Sequence, residues 1–288
     1  SELVTSQLTT MGLHPWLLIF NSFRVITAKR YNQDFLIKKY ETNYHYSATA
    51  YMLLKDRPAI KNHSLLAFAP VFGVKGVASN GLRSLNLTSE EYNGIEKRKF
   101  ISLPNSKKEV KTIAKILEKK GETTVLLEKN ATKNKLKQEI RKKPYQFLHI
   151  ATHSIVNINN PKLSALACYA ENESSNDDLF FANEIQREEI QADLVVLSSC
   201  ESGIGRLIEG EGLIALNRSF IHSGARNVLF SLWKVNDQYS SDLMINFYQN
   251  YMKTPSYTTS LRQAKLQLLQ NPTTANPRFW APFVLMGE

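Results

Sequence analysis

Leu194-Val195-Val196-Leu197-Ser198 is an unbroken apolar run with no inside–outside alternation. A strand of that kind is covered on both faces, the condition of an interior strand in a parallel sheet flanked by helices. The chain from Leu103 onward follows the same logic. Ser106, with Glu109 three residues later, reads as a capping box that opens a helix; Val110, Ile113, Ala114 and Leu117 form its inward stripe and Gly121 closes it. Thr124–Leu127 reads as a strand. Thr132 caps a second helix with Leu136 and Ile140 facing inward, and Pro144 stops it. Gln146–Ala151 reads as the next strand, and Glu171–Asp178 as an exposed, cleavable polar loop. A helix near Glu211–His222, a strand Asn227–Leu232, helices Asp237–Met252 and Thr258–Leu269, and a last strand Phe283–Met286 complete the pattern. Strands alternating with helices predict an α/β fold with a mostly parallel central sheet.

The first hundred residues are less regular. Phe35-Leu36-Ile37 and Leu65-Leu66-Ala67-Phe68 read as strands and Ser47–Leu54 as a helix, while residues 1–34 carry no assignable pattern. With no repeat and no Gly/Ser linker, the 288 residues suit one unit in two subdomains, 1–100 and 101–288. The apolar stretch Trp16–Phe20 is too short to span a bilayer and lacks the flanks of a signal peptide. Two cysteines give no disulfide framework, which points to a reducing, cytoplasmic setting. The net charge is +10, and between Lys107 and Lys143 thirteen Lys and Arg face five Glu, so most of that excess sits in one stretch. Such a run is either a nucleic-acid footprint or a pair of solvated helix faces; no aromatic residue interrupts it to stack bases.

The chemistry concentrates where strands end. His153 lies two residues past Ala151 and Cys200 two past Ser198. If the two strands are adjacent and parallel, both side chains emerge at the carboxyl edge of the sheet, where α/β folds keep their sites. A thiol beside an imidazole is a nucleophile with its base. Two other readings of Cys200 compete: a small buried hydrophobe, and part of a phosphate-cradling loop. The loop reading is weak, because the third glycine of a dinucleotide fingerprint would fall on Ile208 and no GK[ST] occurs. His149 and Cys168 read as core residues. The six histidines show no metal-ligand spacing, so neither metal nor cofactor is expected.

HIATHS (149–154), LVVLSSCESGIG (194–205), GEGLIALNRSFIHSGARNVLFSLWKVND (210–237), FY (247–248) and FWAPFVLMG (279–287) together resemble the CHAT domain, a caspase-like domain often found after tetratricopeptide repeats. FLIKKYETNYHYSATA (35–50), SLLAFAPVFG (64–73) and LPNSKKEV (103–110) fit the same order, with Glu109 at the family's acidic position. The resemblance implies a caspase-like α/β/α sandwich and a cysteine endopeptidase related to separase and gingipain. By position, Cys200 is then the nucleophile and His153 the general base. The backbone N–H groups of Cys200 and Ser154 are the oxyanion donors. At position 154 the family often has glycine, and serine tolerates positive φ less well. Asp237, in a stretch similar to separase, is a candidate for an Arg- or Lys-selecting pocket, although an aspartate before a helix is also an ordinary N-cap. Glu201 is a second acidic candidate.

The implied partner is a protein substrate, a gasdermin-like effector among the candidates, with a tetratricopeptide or other sensor module in cis or trans and a place in bacterial defence or cell death. No 34-residue repeat pattern occurs within the chain. No membrane partner is expected, and nucleic acid only indirectly. The alternatives are a catalytically silent scaffold and a nucleic-acid-binding regulator working through residues 107–143.

Overall fold

The computed structural model describes residues 35–72, 100, 103–157, 160–170, 178–198, 211–233 and 235–287. Its centre is a six-stranded sheet in the order β2-β1-β3-β7-β8-β9, built from β1 (Leu65–Ala69), β2 (Thr123–Leu127), β3 (Tyr145–Ile150), β7 (Ala192–Leu197), β8 (Asn227–Ser231) and β9 (Phe283–Met286). The first five in that order are parallel and β9 runs antiparallel to β8. Strands β1, β3, β7 and β8 are buried at every position, as an interior strand without alternation requires. β1 comes from the first hundred residues and lies between β2 and β3.

Seven α-helices lie among the described residues: α1 (Ala48–Lys55), α2 (Pro104–Leu117), α3 (Lys133–Lys142), α4 (Ala182–Ile185), α5 (Glu211–His222), α6 (Asp237–Lys253) and α7 (Tyr257–Gln270). One face of the sheet packs against α2, α6 and α7 through Val110, Ile113, Leu117, Leu243, Phe247, Leu261 and Leu268. The other packs against α3, α4 and α5 through Leu136, Ile140, Ile185, Leu216 and Phe220. The result is the expected α/β/α sandwich. A small antiparallel sheet, β4 (Ser154–Ile155), β5 (Ala165–Ala167) and β6 (Leu179–Phe181), is inserted between β3 and β7 and has its own apolar cluster.

Several local expectations are corrected. Phe35-Leu36-Ile37 is not a strand: Leu36–Lys38 is a 3₁₀ turn. Phe35 sets its ring edge-on to Trp280 at 5.2 Å, and Arg262 donates to the Ile37 and Lys38 carbonyls, so these groups need no strand partner. Ser106 and Glu109 form no capping box. The helix begins two residues earlier with Pro104 in its first turn, and the Ser106 hydroxyl donates back to the Leu103 carbonyl at 2.7 Å. In the polar stretch expected to be exposed, residues 171–177 lie outside the described residues, and Asp178 is buried.

The basic stretch divides between α2 on one face of the sheet and α3 on the other. Six of its cations are already paired, in Lys107–Glu128, Lys133–Glu184, Lys137–Glu188, Arg141–Glu188, Lys142–Glu139 and Lys143–Glu122.

Candidate active site

The carboxyl edge of the sheet is assembled from β3 outward. β3 and β7 are neighbours and parallel, with Ile150 opposite Leu197, and the Ser198 N–H extends the ladder by donating to the Ile150 carbonyl at 2.9 Å. The condition attached to a paired His153 and Cys200 is therefore met as far as the strands go. His153 follows Ile150 by three residues and Cys200 follows Leu197 by three. Cys200 and Glu201 lie outside the described residues.

After β3 the chain is held by short polar bonds. Ala151 N–H donates to the Phe68 carbonyl at 2.8 Å. The Thr152 hydroxyl donates to the Ala167 carbonyl at 2.7 Å, and Ala167 N–H donates to the His153 carbonyl at 2.9 Å. Thr152 and His153 are thus fastened to β5. The last bond also marks Ser154 and Leu166, which face each other across β4 and β5, as a non-hydrogen-bonded pair. The Ser154 N–H accordingly points away from β5. Ser154 sits in a strand and is not among the residues at positive φ, so the absence of glycine there imposes no backbone strain.

The His153 side chain is 6% exposed. Its ring lies 5.4 Å from Phe100 at 19° between planes and 5.6 Å from Phe72 at 33°. Phe72 falls in the stretch 64–73 that fits the family's order without a role of its own, and Phe100 had no sequence signal beyond its apolar character.

Four residues earlier, inside β3, His149 is fully buried. Its Nε2 lies 2.7 Å from Glu109 Oε1 on α2 and its Nδ1 3.2 Å from the Tyr248 hydroxyl on α6. One arrangement satisfies all three groups: Nε2–H donates to the carboxylate and the tyrosine O–H donates to Nδ1. Burial first, and then the Glu109 charge, push the Tyr248 phenol well above its usual range, so it remains a donor. Glu109 shares the inward stripe of α2 with Ile113 and Leu117, and an acid on an apolar stripe needs a partner. His149 and Cys168 are core residues, as expected.

Asp237 opens α6 just after β8, at the same edge of the sheet. It is not the helix cap: the Asn236 side chain accepts from Gln238 N–H and takes that place. One Asp237 oxygen, Oδ2, instead accepts from Asn105 N–H at 3.1 Å and from the Asn105 side-chain amide at 2.8 Å. Asp237 therefore joins the first turns of α2 and α6. Among the described residues no cluster of three His, Cys, Asp or Glu is arranged to hold a metal ion, and no helix is long and apolar enough to cross a membrane.

The profile of the CHAT domain family matches residues 3–288. Tetratricopeptide repeat protein 28 of Mus musculus is 35% identical over 95 residues, which is 33% of this chain and 4% of that protein; the Homo sapiens protein is 29% identical over 110 residues, 38% and 4% of the two chains. The chain thus spans a small fraction of the repeat proteins it matches. Among solved structures, the Saccharomyces cerevisiae separase–securin complex aligns with a TM-score of 0.52 at 12% identity, covering 89% of this chain and 14% of that one. The Arg-specific cysteine proteinase gingipain R aligns with a TM-score of 0.48 at 8% identity, covering 78% and 46%.

Proposed function

The chain belongs to the CHAT domain family, and on that premise we propose that it is a cysteine endopeptidase with Cys200 as nucleophile and His153 as general base. The observation that supports the reading most is the register of β3 and β7, which sets both residues three positions past the facing pair Ile150 and Leu197. Three residues of chain span at most about 11 Å, a separation short enough to be compatible with a pair at the carboxyl edge of these two strands.

In this mechanism His153 takes the thiol proton and the thiolate attacks the scissile carbonyl. The backbone N–H groups of Cys200 and Ser154 hold the oxyanion. His153 then returns the proton to the leaving amine, and water attacks the thioester to release the second product and restore the thiol. Asp237 and Glu201 are the acidic candidates for selecting a basic residue before the cut. Two bonds that Oδ2 accepts from Asn105 fix the Asp237 carboxylate and leave Oδ1 without a bond to any described residue. The substrate is a protein, and a tetratricopeptide module in cis or trans is the proposed sensor, in keeping with the repeat proteins to which the chain is similar. A defence or cell-death pathway with a gasdermin-like effector is the proposed setting.

The test is peptide-library profiling with Arg, Lys, Leu and Asp before the scissile bond, alone and with a candidate repeat-protein partner. Cleavage that disappears in Cys200→Ala is the expected result. Cleavage that survives the substitution sinks the assignment of Cys200, and no cleavage under either condition favours a catalytically silent scaffold.

A further inference from the structure

We propose that Phe72 and Phe100 are positioning residues that fix the plane of the His153 imidazole, an inference that rests on reading His153 as the general base. The bond that the His153 carbonyl accepts from Ala167 N–H holds its backbone, and the torsion of a histidine ring is intrinsically broad. The two phenyl rings pack against the imidazole and narrow that torsion. Phe100 stacks at 19° to the imidazole, Phe72 lies at 33° to it, and the two phenyls are 4.9 Å apart, so the three rings form a closed triangle. Both phenylalanines are buried, and Ile155, Leu163, Ala165, Leu179 and Phe181 back them from the small sheet and the turn before β5.

The route to this triangle is strained. Phe72 follows Val71, whose φ is +45°, in the left-handed region where a β-branched residue is a genuine outlier. Strain of this kind persists only where the surroundings over-determine it. Here the turn after β1 sets Phe72 against His153, which follows the neighbouring strand β3. The consequence is chemical as well as steric. An imidazole held in one plane presents its nitrogens in a fixed direction, and the imidazolium formed on proton transfer lies against aromatic faces that favour a cation.

The experiment is the rate of iodoacetamide alkylation of Cys200 between pH 5.5 and 9.5, read by mass spectrometry with Cys168 as internal reference. Phe72→Leu and Phe100→Leu keep apolar bulk and remove the flat ring; Phe100→Tyr keeps the ring. Below pH 7 each leucine variant is expected to react about tenfold more slowly than wild type, a fraction of what a general base supplies. At pH 9.5, where the thiol ionises without a base, the rates converge to within about twofold. Phe100→Tyr follows wild type throughout. Leucine variants that match wild type, while His153→Ala does not, overturn the positioning proposal and leave the base standing. A drop of equal size at every pH is what a merely structural role gives, and overturns it too. A wild-type profile unchanged by His153→Ala removes the base itself.

Discussion

At the scale of single residues, the most exposed liability of the molecule is a buried cation. Lys265 on α7 is 7% exposed, and no described residue bonds to it. Burial pulls its ammonium down from the usual lysine range to about 7. Because the folded value lies below the unfolded one, the unfolded chain binds more protons between these two values, so stability rises with pH across that window. Lys265→Met removes the cost and should stabilise the protein at pH 7 by on the order of a few kcal/mol. Thermal unfolding of both proteins at pH 7 and 9.5 checks this: the advantage of the variant shrinks as the pH rises, and an advantage independent of pH contradicts it. The burial of His149 was legible, because its place inside a strand marked it as core. The role of Glu109 was not, because the spacing of a capping box and that of an inward stripe coincide there, and only the His149 ring opposite decides between them.

At the scale of elements, the turn between α2 and β2 carries a sharp constraint. A Cβ on Gly121 would lie 2.4 Å from the His63 carbonyl carbon and oxygen, both backbone, and His63 itself is held at φ +56°. Neither side can yield cheaply, since β1 begins two residues later and its Leu65 N–H is fixed to the Glu122 carbonyl at 2.9 Å. Gly121→Ala should destabilise the fold by about 1–3 kcal/mol, the range for forced overpacking; urea unfolding measures it, and an unchanged midpoint contradicts the account. The helices of the second half were legible because their apolar stripes and caps agree, as at Thr132, whose hydroxyl accepts from Lys135 N–H. Phe35–Ile37 was not. Three apolar residues resemble a strand, and only distant partners, Trp280 and Arg262, show that side-chain packing and a guanidinium hold them instead.

At the scale of the whole molecule, the sheet order decides which segment ends lie side by side. Strand order was the step that sequence could not supply, because periodicity reports burial and not neighbours. The pairing of β3 with β7 brings the ends of two distant segments together, and β1 between β2 and β3 adds Phe72 to the same edge. The concentration of lysine that suggested a nucleic-acid surface disperses for the same reason: α2 and α3 are adjacent in sequence but lie on opposite faces of the sheet. The central claim is that Cys200 and His153 act as a pair at the carboxyl edge. The most direct measurement is the pH dependence of Cys200 alkylation in wild type and in His153→Ala, with Cys168, buried on the far side of β5, as the reference thiol. Cys200 is expected to react rapidly below pH 7, and His153→Ala to slow it to the profile of an ordinary thiol. Slow reaction in both proteins, with a single apparent pKa near that of free cysteine, would contradict it.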